Sequence, residues 1–330
     1  MYLIHALAAV LLLAAAGYLG GSIDGLRVVT GVAVPYLGIL AFLVGLGWRV
    51  ARWALSPVPF RIPTTCGQQR SLPFLKPNRL DNPSTTLGVV GRVALEVLLF
   101  RSLFRNTQAE VSPPARLIHS EAKLLWLAAL AFHWSFLVIF VRHLRFFLEP
   151  VPACVMALHQ LDGFFQIGAP VLYLTDVTIV AALIYLLGRR LADARVRYIS
   201  LFTDYFALFL LLGIALSGVW MRYFTKVTIP EIKQLALGLV TLSPTVPAGL
   251  APLFFMHLTL VSALVAWFPF SKLCHMAGVF LSPTRNLANN NRAKRHINPW
   301  NYPVKVHTYQ EWEEEFHDKI VAAGLPLDKE

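Results

Sequence analysis

Long apolar stretches recur along this 330-residue chain and constrain its fold more than any other feature. Several approach the length of about 20 residues that a helix needs to cross a bilayer. Hydrophobic residues make up 56% of the chain, charged residues only 14%, and the mean hydropathy is +0.59. Turn-separated strands of alternating polarity do not recur, which argues against a transmembrane barrel. The composition predicts an all-α fold, a polytopic transmembrane helical bundle embedded in lipid.

Six apolar segments are predicted to span the membrane. They cover residues 2–19, 31–53, 121–147, 169–187, 198–224 and 252–275. The proline-rich segment 56–120 is expected to lie outside the membrane, because prolines at this density break helices. Within it, residues 87–104 are apolar but contain Arg92, Glu96 and Arg101. Each central charge would cost roughly 2.5–3.5 kcal/mol to insert, so this run is predicted to be an interfacial helix rather than a span.

The basic residues predict which way the chain crosses the membrane. Of the 29 Lys and Arg residues, 23 fall in the long loop, the turn at residues 189–197 and the C-terminal region, and six fall on the opposite side. Cytoplasmic segments carry an excess of Lys and Arg. The long loop and both termini are therefore predicted to be cytoplasmic. The same bias accounts for the net charge of +11, so no nucleic-acid partner is inferred.

Histidines within the apolar segments are the candidate functional residues, because ionisable groups inside a membrane are costly and mark functional sites. His133 and His143 lie ten residues apart on the third helix, and His257 and His275 lie 18 apart on the sixth. The predicted topology makes these helices antiparallel. It pairs His133 with His275 toward the cytoplasm and His143 with His257 toward the outside. Neutral imidazole is an axial ligand of haem iron, so the two pairs predict two bis-histidine haem b groups.

Other interpretations of these histidines remain open. His119 and His133 are 14 residues apart, but no second helix offers a matching pair. A tetrahedral zinc site would need ligands closer in depth than these four, and each histidine could instead hydrogen-bond a neighbouring carbonyl. The unequal spacings correspond to about 15 Å and about 27 Å of helix rise, a mismatch that a kink at Pro269 would reduce.

Two cations lie beside the candidate ligands. Lys272 is three residues before His275, on a similar helix face, and Arg142 directly precedes His143. Both are candidate partners for haem propionates. The alternative is that they extend to the membrane surface as ordinary interfacial cations.

Two motifs resemble a known family. The segment PFSKLCH at residues 269–275, with a histidine 18 residues upstream, resembles the last helix of the nitrate reductase gamma-subunit cytochromes b. The His-x9-His pattern of His133 and His143 resembles that family's other ligand helix. The extra first helix and the tail NPWNYPVKVHTYQEWEEEFHDKIVAAGLP resemble the DsrM subunits of DsrMKJOP complexes in sulfur-metabolising prokaryotes. The predicted division is an extra helix and turn at 1–30, a five-helix cytochrome b domain at 31–281, and a cytoplasmic tail at 282–330.

The resemblance implies an electron-transfer subunit of a quinone-linked oxidoreductase complex in the inner membrane. It would exchange electrons between menaquinone and a cytoplasmic iron–sulfur partner, a DsrK-like subunit similar to heterodisulfide reductase, alongside other membrane and periplasmic subunits. Quinone would react near the outer haem. The family places a basic residue after its first ligand helix, whereas HQLDGFFQ at residues 159–166 has none. His159 and Asp162 are therefore the nearest candidates for handling quinone protons.

The remaining sequence features bear on partners and alternatives. Cys66, Cys154 and Cys274 are scattered and form no CxxC or CxxCH, which excludes a fused iron–sulfur domain and a c-type haem attachment site. The aromatic residues of the tail predict a docking element for the cytoplasmic partner, with packing onto the chain's own loop as the alternative; they are Trp300, Tyr302, Tyr309, Trp312 and Phe316.

Two other functions stay open. One is a transporter that uses Asp176, Asp204 and Arg222, although no inverted repeat supports it; the other is a haem-free membrane anchor.

Overall fold

The computed structural model describes residues 1–56, 68–112, 116–225, 227–282, 284–290 and 306–328, with backbone only at 108–110, 112 and 118–120. Cys66, Trp300 and Tyr302 lie outside the described residues, and the side chain of His119 is not described.

The described chain consists of helices and one small β-hairpin. The helices are α1 (Tyr2–Ser22), α2 (Asp24–Val28), α3 (Val34–Ala54), α4 (Thr86–Leu99), α5 (Arg101–Phe104), α6 (Lys123–His143), α7 (Ala153–Asp162), α8 (Leu174–Ala192), α9 (Ala194–Tyr198), α10 (Phe202–Trp220), α11 (Ile229–Val240), α12 (Pro252–Trp267), α13 (His275–Leu281) and α14 (Tyr309–Ala322). A π-helical turn joins α2 to α3 without a break. Strands β1 (Thr107–Ser112) and β2 (Arg116–Glu121) pair antiparallel just before α6.

Five helical segments of the described chain are long and apolar enough to cross a membrane. They are Tyr2–Ser22, Asp24–Ala54, Lys123–Phe146, Phe202–Thr225 and Pro252–Phe270. The other expected span corresponds to α8, a 19-residue helix that carries Asp176, Arg189 and Arg190 near its ends. It packs lengthwise against α6 and α10. The predicted all-α membrane bundle is confirmed, with one fewer clearly apolar span than expected.

The bundle core forms where α1, α8, α10 and α12 meet. Leu183, Leu210 and Leu260 are almost completely buried there, and Val10 of α1 packs in the same cluster. The extra first helix is therefore an integral part of the core. It lies against α12 through small residues, because any side chain at Gly21 would meet the buried ring of Phe255.

The sixth predicted span is not one continuous helix, which corrects the expectation for residues 252–275. Helix α12 ends at Trp267 and a 3-10 turn follows at Phe268–Phe270. The backbone then becomes extended at Ser271 before a second 3-10 turn, Lys272–Cys274. Pro269 is the physical cause, since proline lacks the amide proton that would continue the helix. His275 consequently begins a separate helix.

Three segments expected to lie outside the spans contain further structure. The long loop 56–120 contains α4 and α5, where a helix was predicted over residues 87–104, and a hairpin that was not predicted. The segment 148–168 contains α7 and the segment 225–251 contains α11, and neither helix was predicted. Proline stands directly before or within the first turn of both α7 and α11, where its missing amide proton costs nothing. Proline in these two segments therefore marks where the short helices begin and does not show that helices are absent.

Candidate functional site

The structure brings His133 and His275 together. Their ring centroids are 6.0 Å apart and the ring planes cross at 80°. His133 lies midway along α6, and His275 is the first residue of α13. We name these two residues the inner pair, after the side on which the sequence places them.

The break after α12 accounts for the unequal histidine spacings. Ten residues separate His133 from His143, and ten separate His257 from Trp267, where α12 ends. Each stretch rises about 15 Å. The remaining residues up to His275 run through two 3-10 turns and an extended residue, so they need not add the rise of a straight helix.

His143 and His257 form the second group, named the outer pair. His143 is the last residue of α6 and His257 lies in the second turn of α12. The two imidazoles are within electrostatic range of each other. Because His133 meets the far end of the α12–α13 region while His143 meets its beginning, the two ligand segments run antiparallel, as the predicted topology requires.

Three of the four imidazoles have the same ring nitrogen engaged. Nδ1 lies 2.7 Å from the Ala129 carbonyl in His133, 2.7 Å from the Ile139 carbonyl in His143, and 2.8 Å from the Lys272 carbonyl in His275. A carbonyl oxygen only accepts, so Nδ1 carries the proton in each ring. This leaves the lone pair of Nε2 available, and a carbonyl that accepts from Nδ1–H also orients histidines that bind metals through Nε2.

His257 reaches the same tautomer through a different partner. Its Nδ1 lies 2.8 Å from the Ser217 hydroxyl on α10. That hydroxyl donates to the Ile214 carbonyl at 3.0 Å, so it accepts from Nδ1–H of His257. Gly218 next to it leaves room for the imidazole, since a Cβ there would lie 3.4 Å from Cε1 of His257.

The geometry fits a metal held between two imidazoles. With metal–nitrogen bonds of about 2.0 Å, rings on opposite sides of one metal have centroids about 6 Å apart, which is the separation of the inner pair. Within the described ranges, no group of three or more His, Cys, Asp or Glu side chains converges on one point.

The two predicted propionate partners already have carboxylate partners. Lys272 Nζ lies 2.7 Å from Asp204 on α10. Arg142 is buried and pairs with Asp162 and, at 3.6 Å, with Asp176. The role of these cations at haem propionates stays a prediction. Their observed role is to hold α6 and the turn before His275 against neighbouring helices.

His159 and Asp162 both join a polar network beside the outer pair, which we name the outer cluster. Its members are Arg142, Arg145, His159, Asp162, Tyr173, Thr175, Asp176, Arg222 and Tyr223. Asp162 accepts hydrogen bonds from Arg142 and from both the backbone and hydroxyl of Thr175, which makes it a structural anchor. His159 instead contacts the Tyr173 hydroxyl at 3.0 Å and Arg145 at 3.3 Å.

Tyr173 organises the outer cluster. Its ring is 3% exposed and lies between two guanidinium groups, with Arg142 at 3.6 Å and Arg222 at 3.8 Å from the ring centre. These stacked cations leave the phenol hydroxyl directed at His159. Burial, and then the positive charges of Arg145, Arg142 and Arg222, lower the pKa of His159 from 6.5.

Several of these residues could not be singled out from the sequence. Ser217 is a lone serine in an apolar helix, like Ser135 and Ser262, and nothing local marks it as the partner of a histidine. Tyr173 likewise lies in an unremarkable loop.

The polar residues considered for a transporter have structural partners: Asp204 pairs with Lys272, Asp176 accepts from Tyr223, and Arg222 donates to the Val171 carbonyl. His119 lies in β2 rather than on α6, so the 14-residue pair does not share a helix.

Comparison with known proteins shows the family of the chain. Residues 86–292 match the nitrate reductase gamma subunit family. The chain is 44% identical over 280 residues to the Hdr-like menaquinol oxidoreductase cytochrome b-like subunit of Archaeoglobus fulgidus, covering 83% of each chain. It is 43% identical over 275 residues to the subunit of the same name from Archaeoglobus profundus, covering 81% of each. The chain is a multi-pass membrane protein with an electron-transfer role, and it belongs to the nitrate reductase gamma-subunit family of cytochrome b-type proteins.

Proposed function

We propose that this chain is a dihaem b-type cytochrome that passes electrons between menaquinol and a cytoplasmic iron–sulfur partner. The observation that carries the proposal is the inner pair, two imidazoles from different helices with centroids 6.0 Å apart. Both named relatives are cytochrome b-like subunits of menaquinol oxidoreductases. A bound haem accepts and releases one electron at a time, which suits a subunit placed between a quinol and an iron–sulfur protein.

Each histidine has a defined role in this proposal. His133 and His275 would bind the iron of the inner haem, and His143 and His257 the iron of the outer haem. In each ring Nδ1–H is held by a carbonyl or by Ser217. This support fixes the tautomer that presents Nε2, the nitrogen available to a metal.

The chain would work within a larger complex in the inner membrane, with both termini in the cytoplasm. The resemblance to DsrM subunits suggests sulfur metabolism as its setting and a DsrK-like partner at the cytoplasmic face. The relatives' names describe Hdr-like complexes, which agrees with a partner similar to heterodisulfide reductase. Quinol oxidation at the outer haem would then release protons on the outer side while electrons move inward.

Haem content tests the ligand assignment. The purified full-length protein should contain two haems b by pyridine haemochrome analysis. Replacing His275 or His143 with alanine should each remove about one haem, because each ligand serves a different pair. His5→Ala, at an exposed position of α1, is the matched control and should retain both. A haem-free wild-type protein would instead support the transporter or anchor alternatives.

His159 is the proposed proton acceptor for menaquinol. A quinol hydroxyl loses its proton to a neutral base, and because its pKa is lowered from 6.5, His159 is protonated less readily than a free imidazole. The rate of quinol-dependent haem reduction should therefore stay constant as the pH falls through 6.5 and decrease only as it passes the lowered pKa. His159→Ala should slow this step about 10²–10⁴-fold while both haems remain.

The control for His159 is Tyr173→Phe, which removes the hydroxyl contact but keeps the ring between the two arginines. It should move the pH at which the rate falls and have a smaller effect on the rate itself. Unchanged quinol oxidation in His159→Ala with full haem content would refute the assignment.

A further inference from the structure

Helix α4 has its polar face inward and its apolar face outward. The outward residues Leu87, Val90, Val97 and Leu98 are 37–82% exposed. Val89 and Arg92 on the opposite face are buried. A surface helix that packs on a soluble domain has the reverse pattern, so the apolar face of α4 requires an apolar environment outside the protein.

The charges that argued against insertion are satisfied within the protein. Arg92 donates to the carbonyl oxygens of Asp81, Arg285 and Leu287. Glu96 pairs with Arg285 at 2.7 Å and accepts from the Ser102 amide at 3.0 Å. Charged groups that have internal partners cost far less to place in a membrane than free ones. The segment 284–290, which continues from α13, therefore covers the polar face of α4.

The C-terminal end of α4 lies beside α6 well inside its apolar stretch. The indole of Trp126 donates to the Leu99 carbonyl at 2.8 Å, and that of Trp134 donates to the Leu98 carbonyl at 3.1 Å. These tryptophans lie three and eleven residues after Lys123, the first residue of α6, which is about 5 and 16 Å along the helix. The carbonyls at the end of a helix have no hydrogen-bond donors within the helix. Here the two indole N–H groups are the donors.

The tip of α4 reaches the inner pair. Phe100 turns the chain in a left-handed conformation, φ 50°, and its ring lies edge-on to His133 at 4.9 Å. The chain then returns through α5, where Lys123 Nζ donates to the Phe104 carbonyl at 2.9 Å. Phe104 therefore lies level with the beginning of α6, and Phe100 lies deeper.

We propose that α4 and α5 form a re-entrant segment inserted into the inner leaflet, with Leu98–Phe100 at the depth of His133 and lipid acyl chains against the outward face of α4. The occupant is lipid because the exposed face of α4 continues the exposed apolar surface of α6 beside it, formed by Leu124, Leu127 and Leu137. The carbonyls of Leu98, Leu99 and Phe100 at the tip all accept hydrogen bonds, as a membrane-embedded helix end requires. The segment shields the edge of His133 from water independently of which cofactor His133 binds.

Cysteine labelling in native membranes tests the depth. In the full-length protein with its native cysteines replaced by alanine, single cysteines are introduced at Leu98, Val90 and Leu87. Leu98→Cys should react with a charged maleimide about tenfold more slowly than Leu325→Cys in the exposed tail, because the reactive thiolate forms only in water. Leu127→Cys on α6 is the lipid-facing control and should be similarly protected. Leu87→Cys should react faster than Leu98→Cys.

Photocrosslinking identifies what covers the tip. Benzoylphenylalanine replacing Leu98 or Val90, in protein that elutes as a single species and keeps the wild-type haem content, should give lipid adducts by mass spectrometry. Labelling of Leu98→Cys as fast as Leu325→Cys would overturn the proposal. So would a crosslink to a partner protein in place of lipid, since the apolar face would then be a protein interface.

Discussion

The protonation of four imidazoles is the most informative feature at the scale of single residues. All four have Nδ1 engaged by an acceptor, yet the acceptors differ in kind. Three are carbonyls three or four residues earlier in the same chain segment, at His133, His143 and His275. At His257 the acceptor is Ser217 on another helix. Within the outer pair, the ring orientation of His257 therefore depends on the contact between α10 and α12.

Ser217→Ala should raise the midpoint potential of the outer haem. A hydrogen bond from Nδ1–H increases the basicity of the imidazole and so stabilises the oxidised metal. Losing one bond worth about 1 kcal/mol corresponds to a shift of about 40 mV for one electron. Optical redox titration of both haems measures it. Ser262→Ala is the matched control, because that buried serine bonds only the Leu258 carbonyl of its own helix; equal shifts in both variants would contradict the assignment.

At the scale of secondary-structure elements, breaks and close contacts matter more than helix lengths. The break at Pro269 allows His275 to approach His133, although His275 lies 18 residues after His257 and His143 lies only ten after His133. The glycine face of α1 brings that helix close to α12, which carries His257. Both features are local in origin, but their consequence is a contact between distant parts of the chain.

Gly21→Ala should destabilise the bundle. A Cβ at this position would lie 2.6 Å from Cδ2 of Phe255, and that ring is completely buried and cannot move aside. Overpacking of this kind costs about 1–3 kcal/mol, which should lower the thermal unfolding midpoint in detergent. Gly47→Ala on α3 is the control, because nothing lies within 4 Å of its added methyl group. It should be neutral or stabilising, since alanine favours helix.

At the scale of the whole molecule, the C-terminal region divides into two parts. Residues 284–290 pack onto the long loop, where Asn289 donates to Asn82 at 2.6 Å in a buried contact. Helix α14 carries an aromatic row, Tyr309, Trp312 and Phe316, with centroids 5.6 and 5.9 Å apart. Tyr309 and Trp312 remain 50% and 42% exposed. Residues 284–290 precede the aromatic residues of the tail, so for α14 docking remains the prediction and packing onto the chain's own loop remains the alternative.

Deleting residues 299–330 should abolish co-purification of the proposed cytoplasmic iron–sulfur partner. Helix α14 is rich in Glu on a chain of net charge +11, so it suits a partner surface with basic and apolar character. Haem content should stay at the wild-type value, because the four candidate ligands precede the deletion. Trp312→Ala with Phe316→Ala should reproduce the loss if the aromatic row is the contact. Retention of the partner by both variants would exclude α14 as the docking element.

The sequence alone determined the all-α membrane bundle and the family, and it singled out the four candidate histidines, because hydropathy and residue spacing are local properties. It also predicted the inner pairing, on the basis of antiparallel helices, and the structure brings those two rings together. The break after α12 follows locally from Pro269. The helices α7 and α11 and the partners Ser217 and Tyr173 were decided only by the tertiary structure. These depend on contacts between residues tens to hundreds of positions apart, such as the two indoles of α6 that hold the end of α4. No local pattern records such contacts.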